Sequence, residues 1–182
     1  MQQKFINRPK GHKKEKYMAK KEFTLSELFQ ILVKDDLSLF MNFVEQFGID
    51  SVEKKDKRNL LMYCILQKKE EFAKFLIEQG INTDYQDKTG YSALHFAVQE
   101  NCLDIVSLLI SKNATVDITD SNGNTPLWRG MFDRRKINPQ IIIKLLEAKA
   151  DIYRKNNHGI APEKYLVDCT DDIKIWVEEH KR

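Results

Sequence analysis

The chain has 182 residues, enough for one ordinary domain or a short stack of repeats and too few for a large multidomain enzyme. Apolar residues make up 42% and charged residues 31%, which excludes a collagen-like or wholly disordered chain, and 7 glycines with 4 prolines argue for helices over a turn-rich β-sandwich. The formal charge of +3 is unevenly spread, with a net +7 on residues 1–21 and −4 on the remainder.

Residues 1–21 hold Lys4, Arg8, Lys10, Lys13, Lys14, Lys16, Lys20 and Lys21 against the single acid Glu15. With few apolar partners this segment is expected to be a disordered, solvated arm; attraction to nucleic acid or a membrane surface is the sharper alternative, with Phe5 and Tyr17 as its aromatics. A start at Met18 is also open. The segment leads into no apolar stretch of signal-peptide type, and no run approaches the roughly 18 apolar residues of a membrane span. A cytoplasmic protein is expected.

Residues 22–53 predict two helices, one carrying Leu25, Leu28, Phe29 and Leu32 and the next Leu39, Phe40, Phe43 and Val44. Residues 54–86 predict a second pair, with Lys57 at its turn, Asn59-Leu60-Leu61-Met62 opening one helix and Phe72, Ala73, Phe75 and Leu76 lining the other. Residues 87–119 hold the clearest pair, Ala93–Glu100 and Asp104–Ser111, each about two turns long. Helices that short are marginal alone, so neighbouring units must bury their faces. Residues 120–155 repeat the pattern, and 156–182 close it with Ile173, Ile175, Trp176 and Val177.

These units share a period. Gly90-Tyr-Ser-Ala-Leu94-His95-Phe-Ala97 recurs 33 residues later as Gly123-Asn-Thr-Pro-Leu127-Trp128-Arg-Gly130, and after 36 more, weakly, as Gly159-Ile-Ala-Pro162. Stepping back 33 from Leu94, Ala97, Val106, Leu109 and Ala114 reaches Leu61, Cys64, Ala73, Leu76 and Ile81. The longer third interval implies three extra residues, assigned to Asp133–Pro139 between the two helices of the fourth unit.

The stretch Asp87-Lys-Thr-Gly90-Tyr-Ser-Ala-Leu94-His95-Phe-Ala97, and still better Asp120-Ser-Asn-Gly123-Asn-Thr125-Pro126-Leu127, resembles the ankyrin motif D-x-x-G-x-T-P-L-H-x-A-A. Leu108-Leu109 with Asn113-Ala114 and Asp117, and Leu145-Leu146 with Ala150-Asp151, resemble its second half. The resemblance implies an all-α repeat solenoid of ankyrin-type helix-turn-helix units with hairpin loops, about five including two degenerate caps. In such a stack the hairpin glycines serve positive φ, Thr125-Pro126 starts a helix, and His95 hydrogen-bonds neighbouring backbone.

The implied activity is non-catalytic protein binding through a concave face, by an inhibitor or immunity-type protein masking its partner, such as an enzyme or toxin. An adaptor or scaffold is the alternative, and a nucleic-acid-associated protein using the basic arm comes third. By resemblance the contacts fall on Arg58, Leu66 and Gln67; on Lys88, Thr89, Tyr91, Gln99 and Glu100; and on Ser121, Asn122, Asn124, Phe132 and Asp133. Where the family has a helix-start histidine and small alanines, this chain has Trp128-Arg129-Gly130-Met131-Phe132. Either Trp128 and Phe132 fill space vacated by Gly130, or with Arg129 and Arg134 they form a binding patch of the residue types enriched at hot spots.

No phosphate-cradling glycine loop, HExxH or GxSxG is present, and the pairs Asp35-Asp36 and Asp171-Asp172 sit where carboxylates favour helix starts. Cys64, Cys102 and Cys169 lie in apolar helical patterns without metal-ligand spacing and are expected to be free thiols. No enzyme, cofactor, metal or small-molecule substrate is expected, and the free protein should be a monomer.

Overall fold

The computed structural model describes residues 23–180, so the basic arm expected over 1–21 lies outside the described residues. Its elements are α1 (Leu25–Lys34), α2 (Leu37–Phe47), α3 (Leu60–Leu66), α4 (Glu70–Glu78), α5 (Ala93–Gln99), α6 (Leu103–Ser111), α7 (Pro126–Phe132), α8 (Pro139–Glu147), a 3-10 helix (Pro162–Asp168) and α9 (Asp171–Glu179). No strand forms among the described residues; two isolated antiparallel bridges, Val52 with Asn59 and Gln86 with Ser92, mark hairpin bases. The fold is an all-α repeat solenoid.

Two helix layers build it. One runs α3, α5, α7 and the 3-10 helix, each packed on the next; the other runs α2, α4, α6, α8 and α9. The period places equivalent side chains in the same interior sites: Leu61, Leu94 and Leu127 are buried, as are Leu76, Leu109 and Leu145. Each contributes on the order of 2 kcal/mol of apolar burial, which the short helices need to persist.

Local chemistry sets the helix limits. Asn59, Ser92 and Thr125 stand at 33-residue intervals, and each side chain accepts a bond from the backbone N–H three residues on. Second helices end alike. Residues Gly80, Asn113 and Lys149 all take positive φ, while the N–H of Ile81, Ala114 and Ala150 returns to the carbonyl five residues earlier. Lys57 takes φ 54° at the turn position that glycine holds in the next unit.

The hairpins join the units edge to edge. Asp87 Oδ1 accepts from the N–H groups of Thr89 and Tyr91, Asp120 Oδ1 from Asn122 and Asn124, and Asn156 Oδ1 from His158 and Ile160. Between hairpins, the N–H of Lys88, Ser121 and Asn157 donates to the carbonyl of Asp56, Thr89 and Asn122 at 2.9–3.0 Å. Gly90 lies where this ladder is tight: a Cβ there would sit 2.7 Å from Ser121 N.

Three details differ from the sequence reading. The second unit's hairpin is one residue longer, closing from Glu53 N to Arg58 O where the third closes from Asp87 to Tyr91, and the longer Glu53 side chain reaches Lys55 N and Asp56 N. The last unit opens with a 3-10 helix, and Ala161 at its start has no side-chain oxygen to cap it. Ile175 is exposed on α9, whose buried stripe is Ile173 and Val177. The extra residues of the fourth unit do fall between its helices: 133–138 join α7 to α8, against 100–102 between α5 and α6.

Candidate protein-binding surface

Gly130 leaves no space for an aromatic ring to fill. A Cβ on it would come 3.3 Å from Val98 Cγ1 and 3.5 Å from Ile142 Cγ1, so neighbouring aliphatic side chains already occupy that volume. Trp128 and Phe132 instead stack on each other one turn apart on α7, with centroids 5.1 Å apart and planes 9° from parallel. Tyr165, from the 3-10 helix, sets its ring edge-on to both, at 5.8 and 5.6 Å. Phe132 stays 46% exposed.

Arginines frame this cluster. The Arg134 guanidinium lies 5.4 Å over the Tyr165 ring, pairs with Asp168, and donates to the Phe132 carbonyl at 3.2 Å. Arg129 pairs with Asp133 at 3.3 Å and donates to Gln99 Oε1, and Gln99 donates to Glu100. Glu100, Gln99, Arg129 and Asp133 thus form a polar chain from the third unit to the fourth. Yet Trp128 Nε1, Arg129 Nε and Arg134 Nε are buried without a hydrogen-bond partner among the described residues.

The hairpin candidates are more tightly engaged. Lys88 pairs with Asp56 at 2.6 Å, and that bond holds the Asp56 carboxyl below the usual carboxylate range. Thr89 Oγ1 donates to Asp87, Asn124 Nδ2 donates to Asp120, and Asn124 Oδ1 accepts from Asn156. Ser121 and Asn122 are exposed but spend backbone groups on the ladder. Tyr91 stacks on His95 at 5.0 Å, and burial pushes its phenol up. Arg58 pairs with Asp87 at 3.2 Å and lies 5.1 Å over the Phe96 ring, which ties its guanidinium into the joint between units. Leu66 packs against the core, whereas Gln67 at the end of α3 is exposed.

Sequence reasoning missed Tyr165, Val167 and Asp168. The signal was the third interval: 36 residues beyond Arg129 lies Tyr165, an aromatic at the equivalent register. Val167 is 74% exposed beside it in sequence.

His95 is fully committed to structure. Its Nδ1 accepts from Ser92 N at 3.2 Å, which leaves the proton on Nε2 to donate to Asn124 O of the next unit at 3.1 Å. Burial lowers its pKa. The three cysteines are free, and burial pushes the Cys64 thiol far up and Cys102 up to about 11. Among the described residues no cluster of His, Cys, Asp and Glu could hold a metal, and no helix is long and apolar enough to cross a membrane.

Helix pairs stacked at a fixed period, with hairpins laddered along one edge and varied side chains between them, define a repeat scaffold whose surface is a protein-interaction module. A family model of ankyrin repeats (3 copies) matches residues 18–120 and 61–156, and the chain belongs to the ankyrin-repeat family. It is 27% identical over 168 residues to an ankyrin repeat protein of Acanthamoeba polyphaga mimivirus, covering 88% of this chain and 22% of the relative. It is 29% identical over 108 residues to an ankyrin repeat-containing protein of Schizosaccharomyces pombe, covering 52% and 50%. A serine/threonine-protein kinase of Arabidopsis thaliana is 37% identical over 87 residues, covering 48% of this chain and 18% of the kinase. The chain spans half or less of the length of these relatives.

Proposed function

We propose that this chain is a non-catalytic module that binds a protein partner across the hairpins and first helices of at least its second to fourth units. One observation carries the reading: on α7 and the 3-10 helix, Trp128, Phe132 and Tyr165 form an aromatic cluster framed by Arg129 and Arg134, with Phe132 half out in solvent. Aromatic and arginine side chains in such a setting are those that dominate binding energy. Gln99, Glu100 and Asp133 continue the surface, and Lys88, Thr89, Tyr91, Ser121, Asn122 and Asn124 line its hairpin edge. An interface of about 800 Å² per partner draws on some 20–30 residues, more than one unit supplies.

The use we infer is masking of a partner, as an inhibitor does, because one continuous face suffices for it whereas a scaffold needs two separate ones. The free thiols support a cytoplasmic setting. The test is an alanine series against the partner captured from the native source, with folding checked by circular dichroism. Phe132→Ala and Trp128→Ala should each cost about 2 kcal/mol or more of binding, while Lys74→Ala, Ser107→Ala and Lys112→Ala on the second-helix layer should be near neutral. Loss of binding on that layer alone would refute the assigned face. A partner whose activity is unchanged when bound would refute masking and leave binding intact.

A further inference from the structure

We propose that the end of this surface built from Trp128, Phe132, Tyr165 and residues 133–138 docks an acidic peptide segment of the partner protein. The proposal rests on the protein-binding reading and adds the partner's chemistry.

Unpaired donors make the first argument. Among the described residues, the buried side-chain polar atoms with no hydrogen-bond partner are Trp128 Nε1, Arg129 Nε and Arg134 Nε. All three are N–H donors, and all lie within seven residues of one another. A folded chain pairs nearly all its buried polar groups, so a local surplus of one kind calls for the other kind from outside. What is missing here is acceptors.

Charge makes the second. Arg129 is matched by Asp133 and Arg134 by Asp168, but the next two residues, Arg135 and Lys136, are exposed and have no carboxylate within salt-bridge distance among the described residues. They rim a recess of about 350 Å³ that Phe132, Asp133 and Arg134 complete. A carboxylate entering it meets two uncompensated cations, and Arg134, whose Nε lacks an acceptor among the described residues, lines the same recess. Phe132, 46% exposed, offers apolar contact in that site, and Val167, 74% exposed, adjoins the Asp168 that pairs with Arg134.

Nucleic acid suits the patch less well. One stacking face of each ring is already taken, Trp128 and Phe132 by each other and Tyr165 by Arg134. Two free cations beside Asp133 and Asp168 also fall short of the stripe that tracks a phosphate backbone.

The experiment pans a phage library of random twelve-residue peptides on the full chain, with counter-selection on an Arg135→Glu/Lys136→Glu double variant. Both side chains are exposed, so the variant should keep the wild-type circular dichroism. Peptides that prefer the wild type should carry an excess of Asp and Glu around an aromatic or aliphatic residue. Made synthetically, they should bind about tenfold or more weakly to the double variant, several-fold more weakly to Phe132→Ala, and more weakly as salt rises. The inference is overturned if no peptide separates the two proteins, if those that do lack an acidic excess, or if a single-stranded oligonucleotide alone shows the dependence on Arg135 and Lys136. A native partner lost on Trp128→Ala or Phe132→Ala but indifferent to the double variant would sink the acidic-segment inference while protein binding stands. A partner indifferent to both sets of changes would sink the two together.

Discussion

His95 shows how one side chain joins two units and makes the joint sensitive to pH. Nδ1 takes the Ser92 N–H while Nε2 gives its proton to the Asn124 carbonyl, so a second proton on the ring would leave Nδ1 facing a donor. Burial acts in the same direction and lowers the folded-state pKa below the ordinary 6.5. Between the two values the unfolded chain binds more protons, so stability is complete above about pH 6.5 and is lost as pH falls through the folded value. His95→Gln should lose about 1–3 kcal/mol at pH 7.5 and show a shallower decline of melting temperature from pH 7 to 5.5; equal slopes would dismiss the histidine as the source. Gly90 makes a second test at this scale. Both Gly90 and Gly159 have positive φ, but an added Cβ strikes Ser121 N and the Asp120 backbone at the first and meets nothing within 4 Å at the second. Gly159→Ala should therefore cost about 1 kcal/mol by chemical denaturation, the left-handed penalty alone, and Gly90→Ala clearly more, since the hairpin ladder must open to admit the methyl group.

At the scale of the element, capping separates the four members of the first-helix layer. Thr125 is buried and accepts from Trp128 N at 3.1 Å, so Thr125→Ala should cost about 1 kcal/mol. Ala161 has the same extended backbone, φ −94° and ψ 155°, without the oxygen. Ala161→Ser should then gain a few tenths to 1 kcal/mol and draw the 3-10 turn toward α geometry, seen as a rise in helical circular dichroism; a loss of stability would mean that the methyl group matters more than the missing cap. Elements like α5 and α7 were legible in the sequence because cap, turn and apolar spacing recur together and vouch for one another. Even the length of the 133–138 insertion could be read, since the interval between Gly123 and Gly159 records it. Features that happen once were not legible. The extra residue in the second hairpin is hidden because it lies before Asn59, outside the 33-residue step from Asn59 to Ser92. Tyr165 joins Trp128 and Phe132 only through packing between units, and no spacing within a unit records that contact. The role proposed for Arg134 was visible as a residue type, whereas its stacking on Tyr165 was not.

Over the whole molecule, a stack with contacts only between neighbours should come apart from its ends. Large exposed apolar side chains fall on α1 and α2 (Val33, Leu37, Leu39, Met41) and from Phe132 onward (Phe132, Tyr153, Val167, Ile175), with none between. The hairpin ladder likewise begins at Asp56, so among the described residues α1 and α2 are held by packing, with the Lys69–Asp35 ion pair at 2.9 Å beside it. That packing is concentrated: Phe40 on α2 is fully buried and stacks on Phe72 of α4 at 4.8 Å, and Phe29 on α1 meets Tyr63 of α3 at 5.9 Å. Removing the Phe40 ring should cost about 3–5 kcal/mol at that joint. Because the third and fourth units are tied by Ser121 to Thr89, by His95 to Asn124 and by Arg129 to Gln99, the loss should stay local. Hydrogen exchange should then show α1 and α2 the least protected in the native chain and almost unprotected in Phe40→Ala, with α5, α6 and α7 exchanging at their original rates. A uniform loss of protection from α1 to α8 would instead make the whole stack one cooperative unit, in which a partner gripping the fourth unit stabilises the first as strongly as the third.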